Sequence, residues 1–150
     1  MLIYIGADHR GFKLKEFLKK YLEEAGYEVH DLGNSKHDID DDYPDFAMKV
    51  AKEVSLNPGG ARGILACGSG IGVDVVANKY RNVRSALAST PDQAASSRRD
   101  DDANVLSLAA DFLTEREAEK IVSTWLQTDF SEEKRHRRRL EKIEKIEGVK

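Results

Sequence analysis

The chain has 150 residues, 40% hydrophobic and 34% charged, enough for one domain with its own core and too few for two. Its net charge of -3 argues against a nucleic-acid binder that relies on a basic surface, and no apolar run approaches the roughly 20 residues of a membrane helix. The single cysteine cannot form an internal disulfide, which points to a reducing, cytoplasmic setting.

The start, MLIYIGADHRGF, has no basic segment ahead of its apolar stretch and reads as a first strand rather than a signal peptide. Leu2 to Ile5 is apolar and β-branched, and Gly6-Ala7-Asp8 ends it. Leu14, Phe17, Leu18, Tyr21, Leu22 and Ala25 follow at helical spacing, closed by Gly26. Tyr27 to Leu32 alternates like a second strand, and residues 34 to 42, NSKHDIDDD, form a polar loop. Pro44 suits a helix first turn and leads into Phe46, Val50 and Val54. Asn57-Pro58-Gly59-Gly60 is a turn. Gly63 to Ala66 is a third strand, followed by CGSGIG and a helix over Val73 to Tyr80. Arg84 to Ala88 is strand-like, 91 to 100 helix-like, and Asn104 to Leu108 a fifth strand. Thr114-Glu115-Arg116-Glu117 is a capping box opening a helix with Ala118, Ile121, Val122 and Trp125 inward. Ser131 is the expected cap of a last helix carrying Leu140, Ile143 and Ile146.

This alternation predicts an α/β fold, a five-stranded, mostly parallel sheet with helices on both faces. Ligands in such sheets bind at the carboxyl ends of strands, near the switch in strand order. The loops at 6 to 9, at 67 to 72 and the stretch around 98 to 102 are expected to meet at that edge.

A Gly-x-Gly-x-Gly loop between strand and helix exposes backbone N–H groups that hold an anion or a developing oxyanion. The alternative is tight-turn geometry alone. The pattern is neither the dinucleotide-binding nor the phosphate-loop fingerprint. Cys67, directly before the loop, reads either as a small buried residue or as a thiolate favoured by a helix N-terminus. Asp8-His9 suits polar substrate recognition, with helix capping by Asp8 as a compatible role. His30, His37 and His136 have no metal-ligand spacing, and no metal site is expected. The basic run Arg135 to Arg139 is either a solvated face or a phosphate site, since arginine forks match phosphate oxygens.

Several segments together resemble one family, the type B ribose-5-phosphate isomerases grouped with the galactose-6-phosphate isomerase subunits. They are Gly6 to Phe12, Asp42-Tyr43-Pro44, Cys67 to Gly72, Ala77-Asn78-Lys79, Asn104-Val105-Leu106 and Arg135-His136-x-x-Arg139, in the family's order along nearly the whole chain. The resemblance implies a flavodoxin-like three-layer α/β/α sandwich over residues 1–150, forming a homodimer or tetramer. The last helix, about 131–147, would then pack on a partner subunit. It implies interconversion of ribose 5-phosphate and ribulose 5-phosphate through an enediolate, with no metal or organic cofactor.

Carried over, Cys67 is the base, and Ser69 with the amides of Gly68, Gly70, Ile71 and Gly72 steadies the enediolate oxygens. Asp8 binds sugar hydroxyls and Tyr43 lines the pocket. His9, Arg135 and Arg139 hold phosphate, the arginines reaching a partner's site. Three positions depart from the family pattern. Asp100 and Asp101 stand where a ring-opening histidine and a sugar-binding asparagine are typical, and Asp111 replaces a phosphate-binding arginine. An ordinary Asp, with a pKa of about 3.9, is poorly matched to acid–base work at neutral pH. Asp100 to Asp102 are also candidates to pair with Arg135 to Arg139 of a neighbouring subunit. Arg10, where the family carries a small or apolar residue, is the expected compensating phosphate contact. The alternatives are a related sugar isomerase with a shifted substrate, and a non-catalytic family member that binds a small anion.

Overall fold

Five parallel strands form one sheet in the order β2-β1-β3-β5-β4 in the computed structural model, which describes residues 1–148. The last two positions of the expected 1–150 domain lie outside the described residues. The strands are β1 (Leu2–Ala7), β2 (Glu28–Asp31), β3 (Ala61–Cys67), β4 (Ser85–Leu87) and β5 (Val105–Ala109). Between and after them run α1 (Phe12–Glu24), α2 (Tyr43–Leu56), α3 (Ile71–Ala77), α4 (Pro91–Asp101), α5 (Glu115–Gln127) and α6 (Lys134–Glu147). No helix among the described residues is long and apolar enough to cross a membrane.

The three layers follow from which strand residues point each way. Ile3, Ile5, Ile64, Leu106 and Leu108 pack with Leu14, Leu18 and Leu22 of α1, Ala94 of α4 and Ile121, Val122 and Trp125 of α5. Leu65 and Val105 face the other way, onto Val50 and Val54 of α2 and Val73 and Ala77 of α3. β3 and β5 are covered on both faces, which explains their almost continuous burial. β2, at an edge, alternates between exposed and half-buried residues. The other edge strand, β4, is only three residues long, and short edges resist unwanted pairing.

The chain runs from β1 outward to β2, then back past β1 to β3, so the order reverses between β1 and β3. The loops after those strands therefore form the crevice. The stretch 98 to 102 is not part of it, contrary to the sequence expectation. α4 starts beyond the carboxyl end of β4 and runs back, so its last turn lies at the opposite edge, where Arg84 Nε reaches the carbonyls of Asp101 and Asp102. α3 is shorter than expected, ending at Ala77 with Asn78 as its cap. The capping box at Thr114 and Glu117 is formed. Ser131 does not cap α6: Glu133 occupies that position, and Ser131 Oγ instead meets His136 Nδ1 at 2.7 Å.

Lys15 of α1 is fully buried, and its ammonium contacts Asp31 at 2.5 Å, Glu16 at 2.6 Å and the Asn34 carbonyl at 3.1 Å. Burial opposes ionisation of Asp31, but hydrogen bonds from Lys15, the Gly33 amide and Lys19 outweigh it and hold the carboxyl below its usual range. A carboxylate with a depressed folded-state pKa stabilises the fold above its unfolded pKa, and the contribution fades as pH falls through the folded value. Asp31→Asn leaves a buried ammonium short of its main counter-charge and is expected to cost about 3 kcal/mol. Lys15→Met should cost less, because Asp31 keeps Lys19 and Gly33. Denaturant unfolding at neutral pH checks the order of the two variants, and the gap between wild type and Asp31→Asn should shrink in acid.

Candidate active site

Cys67 is the last residue of β3, and its side chain is nearly buried. The amide of Gly70 donates to its Sγ at 3.1 Å, which fixes the thiol rotamer toward the loop. Gly70 has φ of +73°, the left-handed region that suits glycine. A Cβ there would also stand 2.5 Å from Leu87 Cδ1 and 2.9 Å from the Leu108 carbonyl carbon. This turn lets α3 begin at Ile71, whose amide donates to Ser69 Oγ at 3.3 Å. The N–H groups of Gly68 and Ser69 have no acceptor among the described residues. Unpaired donors beside a nucleophilic atom are what a developing oxyanion requires.

Two other loops complete the cavity. After β1, buried Asp8 accepts the amides of Arg10 (3.0 Å) and Gly11 (2.9 Å) through Oδ1, leaving Oδ2 for other partners. Asp8 thus holds the turn ahead of α1 rather than capping the helix, whose N-cap is Gly11 with no side-chain cap. Tyr43, first residue of α2, lays its ring against Gly72, where a Cβ would meet it at 2.7 Å. The result is a cavity of about 360 Å³ lined by Asp8, Arg10, Tyr43, Cys67, Gly68, Ser69, Ile71 and Gly72. Gly70 shapes the cavity from behind rather than lining it.

His9 stands beside this cavity and is held by a residue that the sequence does not single out. Asp41 Oδ1 accepts from the His9 amide at 2.9 Å and lies 2.8 Å from its Nδ1. Asp41 Oδ2 takes the Asn34 side-chain amide at 2.8 Å. Asp41 lies in an aspartate-rich run, where nothing local marks it out from Asp38, Asp40 or Asp42. Asp8, His9 and Asp41 bring potential ligand atoms within 4.8 Å of one another, a grouping that sequence spacing does not reveal. Asp8 Oδ1 and both Asp41 oxygens already accept from N–H groups.

Arg10 and Asp111 form an ion pair over Gly68. The other expected site residues are not gathered within one chain. Asp100 lies in the last turn of α4 and pairs with Arg99 at 2.9 Å; Asp101 lines a separate cavity of about 320 Å³ with Arg84, Ile143 and Ile146. The hydrogen bond from Arg99 lowers the Asp100 pKa, the direction opposite to what an acid at neutral pH needs. Asp102 is taken by Arg84 and Arg98, both at 2.7 Å, so its pairing is within the chain. Arg135 is exposed on α6 and pairs with Glu133 at 2.8 Å, and Arg139 is also exposed. Both therefore lie on a helix that adjoins α4, outside the cavity of Cys67.

The Asp41 hydrogen bond raises the His9 pKa above its ordinary 6.5. The imidazolium thus persists to higher pH, and its attraction for an anion is lost as pH rises through the raised value. Histidine proton shifts followed by NMR are expected to give a His9 midpoint above 6.5, moved down by Asp41→Asn. An unmoved midpoint would contradict the assignment.

Comparison with known proteins identifies the family. The family model described as Ribose/Galactose Isomerase matches residues 3–143. The probable ribose-5-phosphate isomerase B of Mycoplasma genitalium is 43% identical over 97% of this chain and 95% of its own length. The crystal structure of the Mycoplasma genitalium ribose-5-phosphate isomerase B with bound ribulose-5-phosphate superposes with a TM-score of 0.96 at 42% identity, covering 99% of this chain and 97% of that one. The type B enzyme of Trypanosoma cruzi gives 0.94 at 40% identity, covering all of both chains. The chain belongs to the ribose/galactose isomerase family.

Proposed function

We propose that this protein interconverts ribose 5-phosphate and ribulose 5-phosphate through an enediolate, with Cys67 as the base. The observation that carries the proposal is the Cys67 sulfur in a cavity beside two unpaired backbone donors, under a ring and a free carboxylate oxygen. A relative with the same fold holds ribulose-5-phosphate.

The chemistry needs a base next to a carbonyl-bearing carbon and donors for the oxygens that gain charge. The Cys67 thiolate, the reactive form, takes the proton from C2 of the aldose. The same sulfur returns it to C1 while the hydroxyl proton on O2 passes to O1, giving the ketose; the reverse reaction exchanges these roles. The amides of Gly68 and Ser69, with Ser69 Oγ, face the two enediolate oxygens, and Gly70, Ile71 and Gly72 shape their cradle. Asp8 Oδ2 accepts from sugar hydroxyls, Tyr43 covers the carbon chain and His9 attracts the phosphate. No metal or organic cofactor enters these steps.

The proposal includes a cytoplasmic setting and a second copy of the chain. Arg135, Arg139 and Asp101, which stand outside this chain's cavity, would reach the partner's site along with the C-terminal helix. Asp100, paired with Arg99 at 2.9 Å, favours a substrate already in its open-chain form, because a carboxyl group is poorly matched to ring-opening acid–base work at neutral pH. A related sugar isomerase with a shifted substrate is therefore the second reading, and the acidic residues at 100, 101 and 111 favour it.

Cys67→Ala should abolish isomerisation while leaving the circular dichroism spectrum and melting behaviour near those of the parent. Incubating the protein with aldose and ketose phosphates in D₂O should place deuterium at C1 or C2, detected by proton NMR. A Cys67→Ala variant with the parent's exchange rate would remove Cys67 as the base. No exchange from any sugar phosphate would overturn the isomerase reading.

A further inference from the structure

Arg10 and Asp111 come from the loops after β1 and β5, the strands that flank β3, and meet across the glycine loop of Cys67. Their closeness to Gly68 is marked: a Cβ on that residue would stand 2.5 Å from Arg10 Nε and 2.8 Å from Asp111 Oδ2. Both residues are anchored by their backbones. The Arg10 amide donates to Asp8 Oδ1 at 3.0 Å, and the Asp111 amide donates to the Gly68 carbonyl at 3.0 Å. The pair thus sits at the rim of the cavity, fixed to the residues that line it. The Arg10 side chain is 58% exposed and that of Asp111 34%, so a solute reaches both.

A guanidinium carries five N–H donors in a planar fork suited to carboxylate or phosphate oxygens. Here a carboxylate of the same chain already occupies part of that fork. We propose that Arg10 is the seat for the anionic end of the substrate, and that Asp111 is a built-in competitor that holds the seat until a phosphate dianion displaces it. Only the identity of the anion rests on the isomerase reading; the seat itself rests on the ion pair and its place over Gly68. An incoming dianion gains more from the guanidinium than a monoanion does. The internal carboxylate therefore screens out weakly charged solutes, including carboxylate-bearing sugars, by making them compete with Asp111. This is specificity by a repulsive element as well as an attractive one.

Inorganic phosphate is the probe, titrated by calorimetry into the full chain and three variants. Asp111→Asn removes the competitor, and phosphate binding should tighten by roughly tenfold. Arg10→Gln should weaken it by about tenfold or more. The double variant should match Arg10→Gln alone, because Asp111 acts only through Arg10. In turnover assays the Asp111→Asn effect should fall on KM rather than kcat. The pair is solvent-exposed and contributes little to stability, so all three variants are expected to fold. Unchanged or weaker phosphate binding in Asp111→Asn, or unchanged binding in Arg10→Gln, overturns the proposal. The two readings fail separately. The expected phosphate pattern without deuterium exchange into any sugar upholds the seat and removes the isomerase. Normal exchange with no response to either variant removes only the seat.

Discussion

The loop after β3 has no room for a side chain at Gly68, Gly70 or Gly72, and the rest of the site is arranged around that constraint. At Gly68 the neighbouring atoms belong to Arg10 and Asp111, at Gly70 to Leu87 and the Leu108 backbone, and at Gly72 to the Tyr43 ring. Flanking elements thus press onto one loop at each of its three glycines. Glycines allow that approach, and the approach in turn fixes where the thiol and the backbone donors stand. Close backbone contact costs conformational freedom in the unfolded chain, but it leaves little to reorganise when charge develops.

A second network couples the fold to the charge on His9. Buried Lys15 binds the Asn34 carbonyl, the Asn34 side chain binds Asp41, and Asp41 holds both the amide and the ring of His9. The chain of contacts begins in α1, passes through the loop after β2 and ends beside the cavity. It gives the polar loop 34 to 42 a fixed position without regular secondary structure. An ammonium taken from water needs good partners to be tolerated, so this loop is tied to the same constraint that keeps α1 in place.

Much of this was legible in the sequence because the relevant signals are local. The helices of α1 and α5 follow from apolar spacing and a capping box, and the central strands from short, mostly apolar stretches. The gathering of Asp8, Tyr43 and the glycine loop follows from their places after β1, at the start of α2 and after β3. What failed needed direction or distance rather than pattern. Residues 98 to 102 are near the cavity by pattern alone, but the course of α4 puts them at the other edge. Ser131 has the chemistry of a cap, yet its hydroxyl is drawn to the buried His136. Asp41 was hidden among identical neighbours, because its role depends on a partner 32 positions away. The Arg10–Asp111 pair spans 101 positions, and only the juxtaposition of β1, β3 and β5 brings it together.

That separation along the chain bears on how the protein matures during folding. The cavity draws on residues near 8, 43 and 67 to 72, and its rim is completed by Asp111 beyond β5. β5 inserts between β3 and β4, so the sheet cannot close until most of the chain is available. Contacts of such long range form slowly, because the loops between them must first be closed. A nascent chain that has made β1 to β3 already possesses the thiol and its glycines, but not the strand that supports their far side. Chemical competence therefore arrives late, as a property of the finished sheet rather than of the motif.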